Sequence, residues 1–415
     1  MAILLALVWM SPAAIAGEDD GETAARSLAV VDISQDDKAH AEIARDVVRA
    51  VRKHSGYEFK DTHVALNAGA EVEAQNNIRT ALAFLQTGTA ALEGGDAEEA
   101  YDQLASARTM MERDFAVLRD VNDYRATLMN LAVAMLRTGE KKAAQDVFER
   151  AIIFRAKVNT LDLSDAEHDV LVRAQEAVAE RPLGAVAIET VPEHAEVYVD
   201  GRYRGISPAT VAGLPAGEHL VTVYKAGHAR HTRTVTASDE ELNVISVDME
   251  DARRQLQYGQ LTERLRNEVA ELSDDNVAGG EGVKSVGALF YSELAIVVRV
   301  TGENDMKTVE LALFHVASKR LLNRLSESID WSFRNKKAVA GLVNTLLDIN
   351  FAAAMGGAIA PAGMGAGSQD SLLTSWWLWT IVGAVVAGGV TAAVVATLPE
   401  DAPPPPTGGT LVVQF

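Results

Sequence analysis

Gly184-Ala-Val-Ala-Ile-Glu-Thr-Val-Pro-Glu-His-Ala-Glu-Val-Tyr-Val-Asp-Gly201 runs on through Gly205-Ile-Ser-Pro208 and Gly213-Leu-Pro-Ala-Gly-Glu-His219 into Leu220-Val-Thr-Val-Tyr224. Short β-prone runs alternate with turn chemistry roughly every eight to twelve residues, the spacing of a small all-β sandwich or barrel. Val197 and Val199 fall on one strand face and Tyr198 on the other. Asp200-Gly201 supplies the positive backbone angles of a tight hairpin. Val221 and Val223 alternate against Thr222, and Ile245, Val247 and Met249 repeat the period in a last strand. Pro192, Pro208 and Pro215 stand between runs, where a missing N–H does no harm. This β module sits in the middle of the chain, and the other segments arrange themselves about it.

The chain has 415 residues, room for two to four domains, with ordinary apolar content and a formal charge of −20. That charge argues against nucleic acid, because phosphate binding needs a basic face. It also keeps the molecule soluble and self-repelling. No cysteine is present, so disulfides, thiolate metal sites and a lipobox are excluded.

Residues 1–16 read as a secretory signal: Ile3–Met10 is apolar, Ala14-Ile-Ala16 fits the small-residue cleavage rule, and no Lys or Arg precedes them. Leu28-Ala-Val-Val-Asp-Ile33 reads as a buried strand. Residues 37–53 carry Ile43, Val47, Val48 and Val51 at helical spacing, and Gly56-Tyr-Glu-Phe59 begins a second strand. Residues 72–181 are helical, with an internal echo at an offset of 44: Gly95, Ala100, Asp102 and Leu104 return as Gly139, Ala144, Asp146 and Phe148. After the β module, Asp251–Leu272 carries Leu256, Leu261, Leu265 and Leu272 as an amphipathic helix. Gly279-Gly-Glu-Gly282 breaks the chain. Residues 294–300, 309–316 and 321–329 read as strands, buried on both faces where they run continuously apolar, and 338–349 as a closing helix.

Residues 351–374 have the composition of a tether. Trp376–Leu398 is 23 residues without a charge, long enough to span a bilayer at about 1.5 Å per residue. Trp376, Trp377 and Trp379 cluster at one end as interfacial aromatics do. Residues 399–415 form a Pro-rich tail. With no Lys or Arg after Lys337, loop charge says nothing of orientation. A cleaved signal would place 17–374 outside the cytoplasm.

Residues 184–250 resemble the PEGA domain, a β module of bacterial surface proteins, through Pro192, Ala195, Val197-Tyr-Val-Asp-Gly201, Gly205, Pro208, Gly213-Leu-Pro-Ala-Gly217 and Gly227. His194 stands where that family usually carries Gly, and a left-handed turn is costlier for His. The resemblance implies a binding or spacer role without catalysis. The 44-residue echo resembles tetratricopeptide repeats with one helix lengthened, which implies a concave protein-binding surface; a plain helical bundle is the other reading. Residues 27–66 and 251–350 resemble the two parts of a TolB N-terminal type α/β domain. They would form one body with the helical and PEGA parts inserted, provided the strand at 28–33 pairs within the sheet of 293–329. The whole order resembles multidomain envelope proteins of myxobacteria and their relatives.

The phosphate-loop, Gly-x-Ser-x-Gly and His-Glu-x-x-His patterns are absent, and Gly363-Met-Gly-Ala-Gly367 follows no strand. The histidines of the β module have no metal-ligand spacing. Arg202, Arg204, Lys225, His228, Arg230 and Arg233 make the most basic stretch of an acidic chain. They could contact an anionic glycan or acidic partner, or could be a solvated edge guarded by charge against strand pairing. The expected fold class is multidomain α+β: a helical-repeat region, a PEGA sandwich, a TolB-like α/β part and a C-terminal transmembrane helix. The expected function is that of a non-enzymatic, cofactor-free envelope protein of the inner membrane, its bulk periplasmic, binding protein partners and wall polymer. An accessory factor of a transport or secretion complex is the alternative.

Overall fold

The structure is a computed structural model that describes residues 25–354, apart from 70, 119, 157–162, 273–277 and 350. The chain opens with β1 (Arg26–Asp32), α1 (Lys38–Arg52), β2 (Tyr57–Phe59) and α2 (Thr62–Leu66). The helical region follows as α3 (Val72–Gly94), α4 (Ala97–Arg113), a 3-10 turn at Phe115–Val117, α5 (Val121–Arg137), α6 (Lys141–Ile153) and α7 (Asp165–Glu180). The β module comprises β3 (Leu183–Val191), β4 (Glu196–Val199), β5 (Arg202–Ile206), β6 (Ala209–Pro215), β7 (Gly217–Tyr224), β8 (His231–Ala237) and β9 (Asn243–Asp248). The chain then adds α8 (Gln255–Ala270), α9 (Glu281–Phe290), β10 (Leu294–Thr301), β11 (Met306–His315), β12 (Arg320–Asp330), α10 (Lys336–Leu347) and α11 (Phe351–Ala354).

The first and last of these groups share one five-stranded sheet, ordered β12-β11-β10-β1-β2. β1 runs parallel to β10, with Leu28 opposite Leu294 and Asp32 opposite Val298. It also runs parallel to β2, while β10, β11 and β12 form an antiparallel meander. Alternation sends Leu28, Val30, Ile296 and Val298 to the face covered by α1 and α10. Ala29, Val31, Ala295 and Val297 go to the face covered by α8 and α9. Burial on both sides is why these strands read as unbroken apolar runs.

The helical region packs as successive hairpins. Gly95 and Gly139 end α3 and α5 at positive φ, 84° and 95°, the left-handed stop that glycine takes without strain. Ala100 and Ala144 are fully buried, as are Leu104 and Phe148, so the echoed positions hold equivalent places. Small residues let helices close up: a Cβ at Gly88 would come within 2.6 Å of Leu104.

The β module is a sandwich of a β6-β3-β9 sheet on a β5-β4-β7-β8 sheet. Its core takes Val197, Val199, Val221, Val223, Ile245 and Val247, the inward positions of the period-2 reading. Asp200 and Gly201 have φ of 51° and 71°, and His194 adopts the left-handed turn at 62°.

Two sequence expectations are corrected. Leu256 is 76% exposed rather than packed, because the buried face of α8 runs through Tyr258, Leu261, Leu265 and Val269 and position 256 lies off it. The glycines at 279–282 do not simply break the chain, since Gly280 begins α9. The Glu268 carboxylate, reaching over from α8, accepts from the N–H groups of Gly280, Gly282 and Val283 at 3.0, 2.6 and 3.2 Å. A Cβ at Gly280 or Gly282 would meet that carboxylate. Among the described residues no helix is long and apolar enough to cross a membrane. The expectations for the signal at 1–16, the tether, the span at 376–398 with Trp376, Trp377 and Trp379, and the tail lie outside the described residues.

Candidate functional site: a cleft where three modules meet

The basic stretch singled out in the β module divides in two. Arg230 joins the β module to both other parts: its Nη2 donates to Asp61 Oδ1 at 3.1 Å in the α/β part and its Nη1 to the Ala116 carbonyl at 3.4 Å in the helical part. Its guanidinium also lies 5.5 Å from the Tyr224 ring centre, and Tyr224 donates to the same Ala116 carbonyl at 3.3 Å. Lys225 pairs with Asp36 at 2.9 Å, and Asp36 also meets His194 Nδ1 at 3.0 Å. His228 lies 3.3 Å from Asp251. Lys225 and Arg230 thus tie the β module to the rest of its chain. Arg204 and Arg233 are exposed and Arg202 is half-buried.

Around the Arg230 contacts opens a cleft of about 1000 Å³. Its walls are α1, β2 and α2, the 3-10 turn, and β4 and β7 of the sandwich. Six cationic side chains line it, Arg45, Arg49, Arg52, Lys53, Lys60 and Arg230, against the four carboxylates Glu58, Asp61, Asp120 and Glu196. A basic excess is unusual in a chain with 58 acidic and 38 basic residues, and it favours an anionic occupant. Aromatic walls come from Phe59, Phe115, Tyr198, Tyr224, Phe290 and Tyr291. Arg45, Arg49 and Arg52 project from α1 and Lys53 from its C-cap, off the Ile43–Val47–Val51 face that packs on the sheet. Their spacing of four, three and one was present in the sequence, but nothing local marks that face as a cleft wall rather than a solvated one.

Within the cleft the charges are held at different strengths. Arg52 donates to Asp61 at 2.8 Å, so Asp61 bridges two guanidiniums. Burial raises the Asp61 carboxyl, but Arg230, His63 and Arg52 outweigh it and hold it below the ordinary carboxylate range. Glu196 sits 3.3 Å from Arg45 and accepts from Tyr198 Oη at 2.6 Å. Burial prevails there and pushes the Glu196 carboxyl up. The Arg45 Nε faces the Glu196 carboxylate, whereas Arg230 keeps an Nε with no hydrogen-bond partner and no access to solvent. Buried donors are normally satisfied, so the wall holds unused hydrogen-bonding capacity.

His63 behaves differently. Burial first, then Arg230 and Arg52, lower its pKa from the ordinary 6.5 to about 4, against the pull of Asp61. It bonds to the His228 backbone, while Nδ1 is buried and unpartnered. The folded protein therefore keeps His63 neutral where the unfolded chain would protonate it, between pH 6.5 and about 4. Stability therefore rises with pH, and is lost as pH falls, wherever the unfolded state binds more protons. In urea melts at pH 7, 5.5 and 4.5, His63→Asn is expected to flatten the loss of stability across that window. A decline as steep as that of the unsubstituted protein would show that His63 does not set it.

Residues 183–252, the sandwich from the start of β3 through Ala252, match the PEGA domain. No curated protein matches the chain. The module contributes Glu196, Tyr198, Gly201, Thr222, Tyr224 and Arg230 to the cleft, and of these only Tyr198 and Gly201 belong to the motifs that carry the resemblance.

Proposed function

We propose that this is a non-enzymatic envelope protein, anchored by residues 376–398, that grips an acidic protein partner in the cleft and presents its PEGA module toward anionic wall polymer. The observation that carries this reading is the cleft itself: a basic, aromatic-walled groove to which the PEGA, helical and α/β parts each contribute a wall. The PEGA match supports a binding role for the module. The negative total charge supports exclusion of nucleic acid. Tethering near a membrane raises the effective concentration for a second contact. Accessory service to a transport or secretion complex would use the same gripping step.

A photo-crosslinking residue placed at Lys53, in the cleft, is expected to capture a defined acidic protein in intact envelopes, and one at Arg233, outside it, is not. The chain without 376–398 should leave the membrane fraction. Capture from position 233 alone, or membrane retention of the truncated chain, would overturn the corresponding half of the reading.

A further inference from the structure

The exposed end of the PEGA sandwich carries a second basic feature, separate from the cleft cations. The β4–β5 hairpin turns at Asp200-Gly201 and leans on the start of α5: a Cβ on Gly201 would lie 2.6 Å from Val121 Cγ2. The residue that follows, Arg202, therefore enters beside α5. Arg204 lies two positions on, at the bulge that shifts the β4–β5 register. Along α5, Arg125 stands one turn after Val121 and so shares its face. Its Nε donates to the Phe154 carbonyl at 2.5 Å and its Nη1 to Asn122 Oδ1 at 2.9 Å. Arg155 follows Phe154 directly and takes a left-handed backbone, φ 57°. Three pieces of chain, distant in sequence, thus bring four guanidiniums together.

The electrostatics agree with the geometry. Arg204 is lowered by burial and then by its like-charged neighbours Arg202 and Arg155, with Asp200 opposing. Arg125 is lowered by burial and by Arg202 and Arg155, with Asp120 opposing. Those two carboxylates are committed elsewhere. Asp200 is buried and accepts from the Leu220 N–H at 3.0 Å, with His219 Nδ1 at 2.7 Å. Asp120 caps α5 through the Asn122 N–H at 2.8 Å. Among the described residues none of the four arginines forms an ion pair, and Arg202 Nη1 is shielded from solvent with no partner. Gathering like charges without counter-charge is unfavourable. A guanidinium presents a planar fork that matches phosphate oxygens two at a time. One carboxylate would be neutralised by one arginine, whereas four arginines suit a multiply charged oxyanion.

We infer that Arg125, Arg155, Arg202 and Arg204 form a phosphate-binding site at the seam between the PEGA hairpin and the helical region. The full chain is titrated with inorganic pyrophosphate at low ionic strength by calorimetry. The R202A/R204A variant should bind about tenfold more weakly or worse, as loss of charge-assisted forks implies. Arg204→Ala and Arg155→Ala, both exposed side chains, should each weaken binding with an unchanged urea midpoint. Lys53→Ala, in the cleft, should leave pyrophosphate affinity unchanged, which separates this site from the proposed partner groove. A second arm compares phosphatidylglycerol with phosphatidylcholine vesicles. If R202A/R204A loses the preference for the anionic vesicles, the phosphate is a lipid headgroup; if the preference persists while pyrophosphate binding falls, it belongs to a soluble or polymeric ligand. Pyrophosphate affinity that is the same in the double variant and the unsubstituted chain, or that depends on Lys53 instead, overturns the inference.

Discussion

Leu28→Ala is expected to lower the unfolding free energy by about 2–5 kcal/mol, the range for truncating a fully buried leucine. The position is the hinge between the two ends of the α/β body. Leu28 is wholly inaccessible to solvent and faces Leu294 on one neighbouring strand and Phe59 on the other. It packs among Ile43, Val47, Ile296 and Val343 beneath α1 and α10, so the lost methyls leave a cavity with walls on every side. β1 is a central strand and cannot relax outward as an edge strand could. Urea denaturation checks the figure, with Leu256→Ala as the internal comparison. Because Leu256 is exposed, its replacement should stay within about 0.5 kcal/mol. A mild Leu28→Ala variant would mean that the strand is not held between β10 and β2.

The same residues show what a sequence can and cannot disclose. Periodicity is a local property, and it marked the inward valines of β4 and β7, the Asp200-Gly201 turn and the matched Gly95 and Gly139 stops. Strand pairing across more than 260 residues, as between Leu28 and Leu294, was anticipated only through the resemblance of 27–66 and 251–350 to two parts of one α/β domain; the residues themselves left an indirect trace, apolar runs too continuous for one buried face. α9 was hidden because its start is stabilised by a carboxylate from another helix, Glu268, rather than by a capping residue beside it. The cleft was hidden for a related reason. Asp61, Ala116 and Arg230 are separated by 55 and 114 residues in the chain, and only the folded arrangement joins them. A basic stretch reads the same whether its cations face solvent or, as Lys225 and Arg230 do, neutralise carboxylates of another module. Distinguishing them requires knowing where Asp36 and Asp61 lie.

Asp61 is the place where this joining can be measured. It performs two tasks: its Oδ1 accepts from the His63 and Val64 N–H groups at the start of α2, at 2.9 and 3.4 Å, and its charge faces Arg230 at that same Oδ1 and Arg52 at Oδ2. Asn retains the cap and removes the charge, since Asn and Asp cap comparably well. Asp61→Asn should therefore report the ion pairs alone. The side chain of Arg230 is only 11% exposed, and stranding a largely buried guanidinium is expected to cost about 3 kcal/mol. Asp61→Ala removes the cap as well and should cost about 1 kcal/mol more. Asp61→Asn combined with Arg230→Met should recover part of the loss, because an apolar chain of similar length leaves no charge unpaired. The pH dependence follows from the lowered carboxyl: the Asp61 contribution is present above the unfolded carboxylate pKa near ~3.9 and is lost as pH falls through the still lower folded value. The stability difference between the unsubstituted protein and Asp61→Asn should then be full at pH 7 and shrink in acid below pH ~4. A difference that is small at pH 7, or that grows on acidification, would mean that the three modules are held together elsewhere than at Arg230.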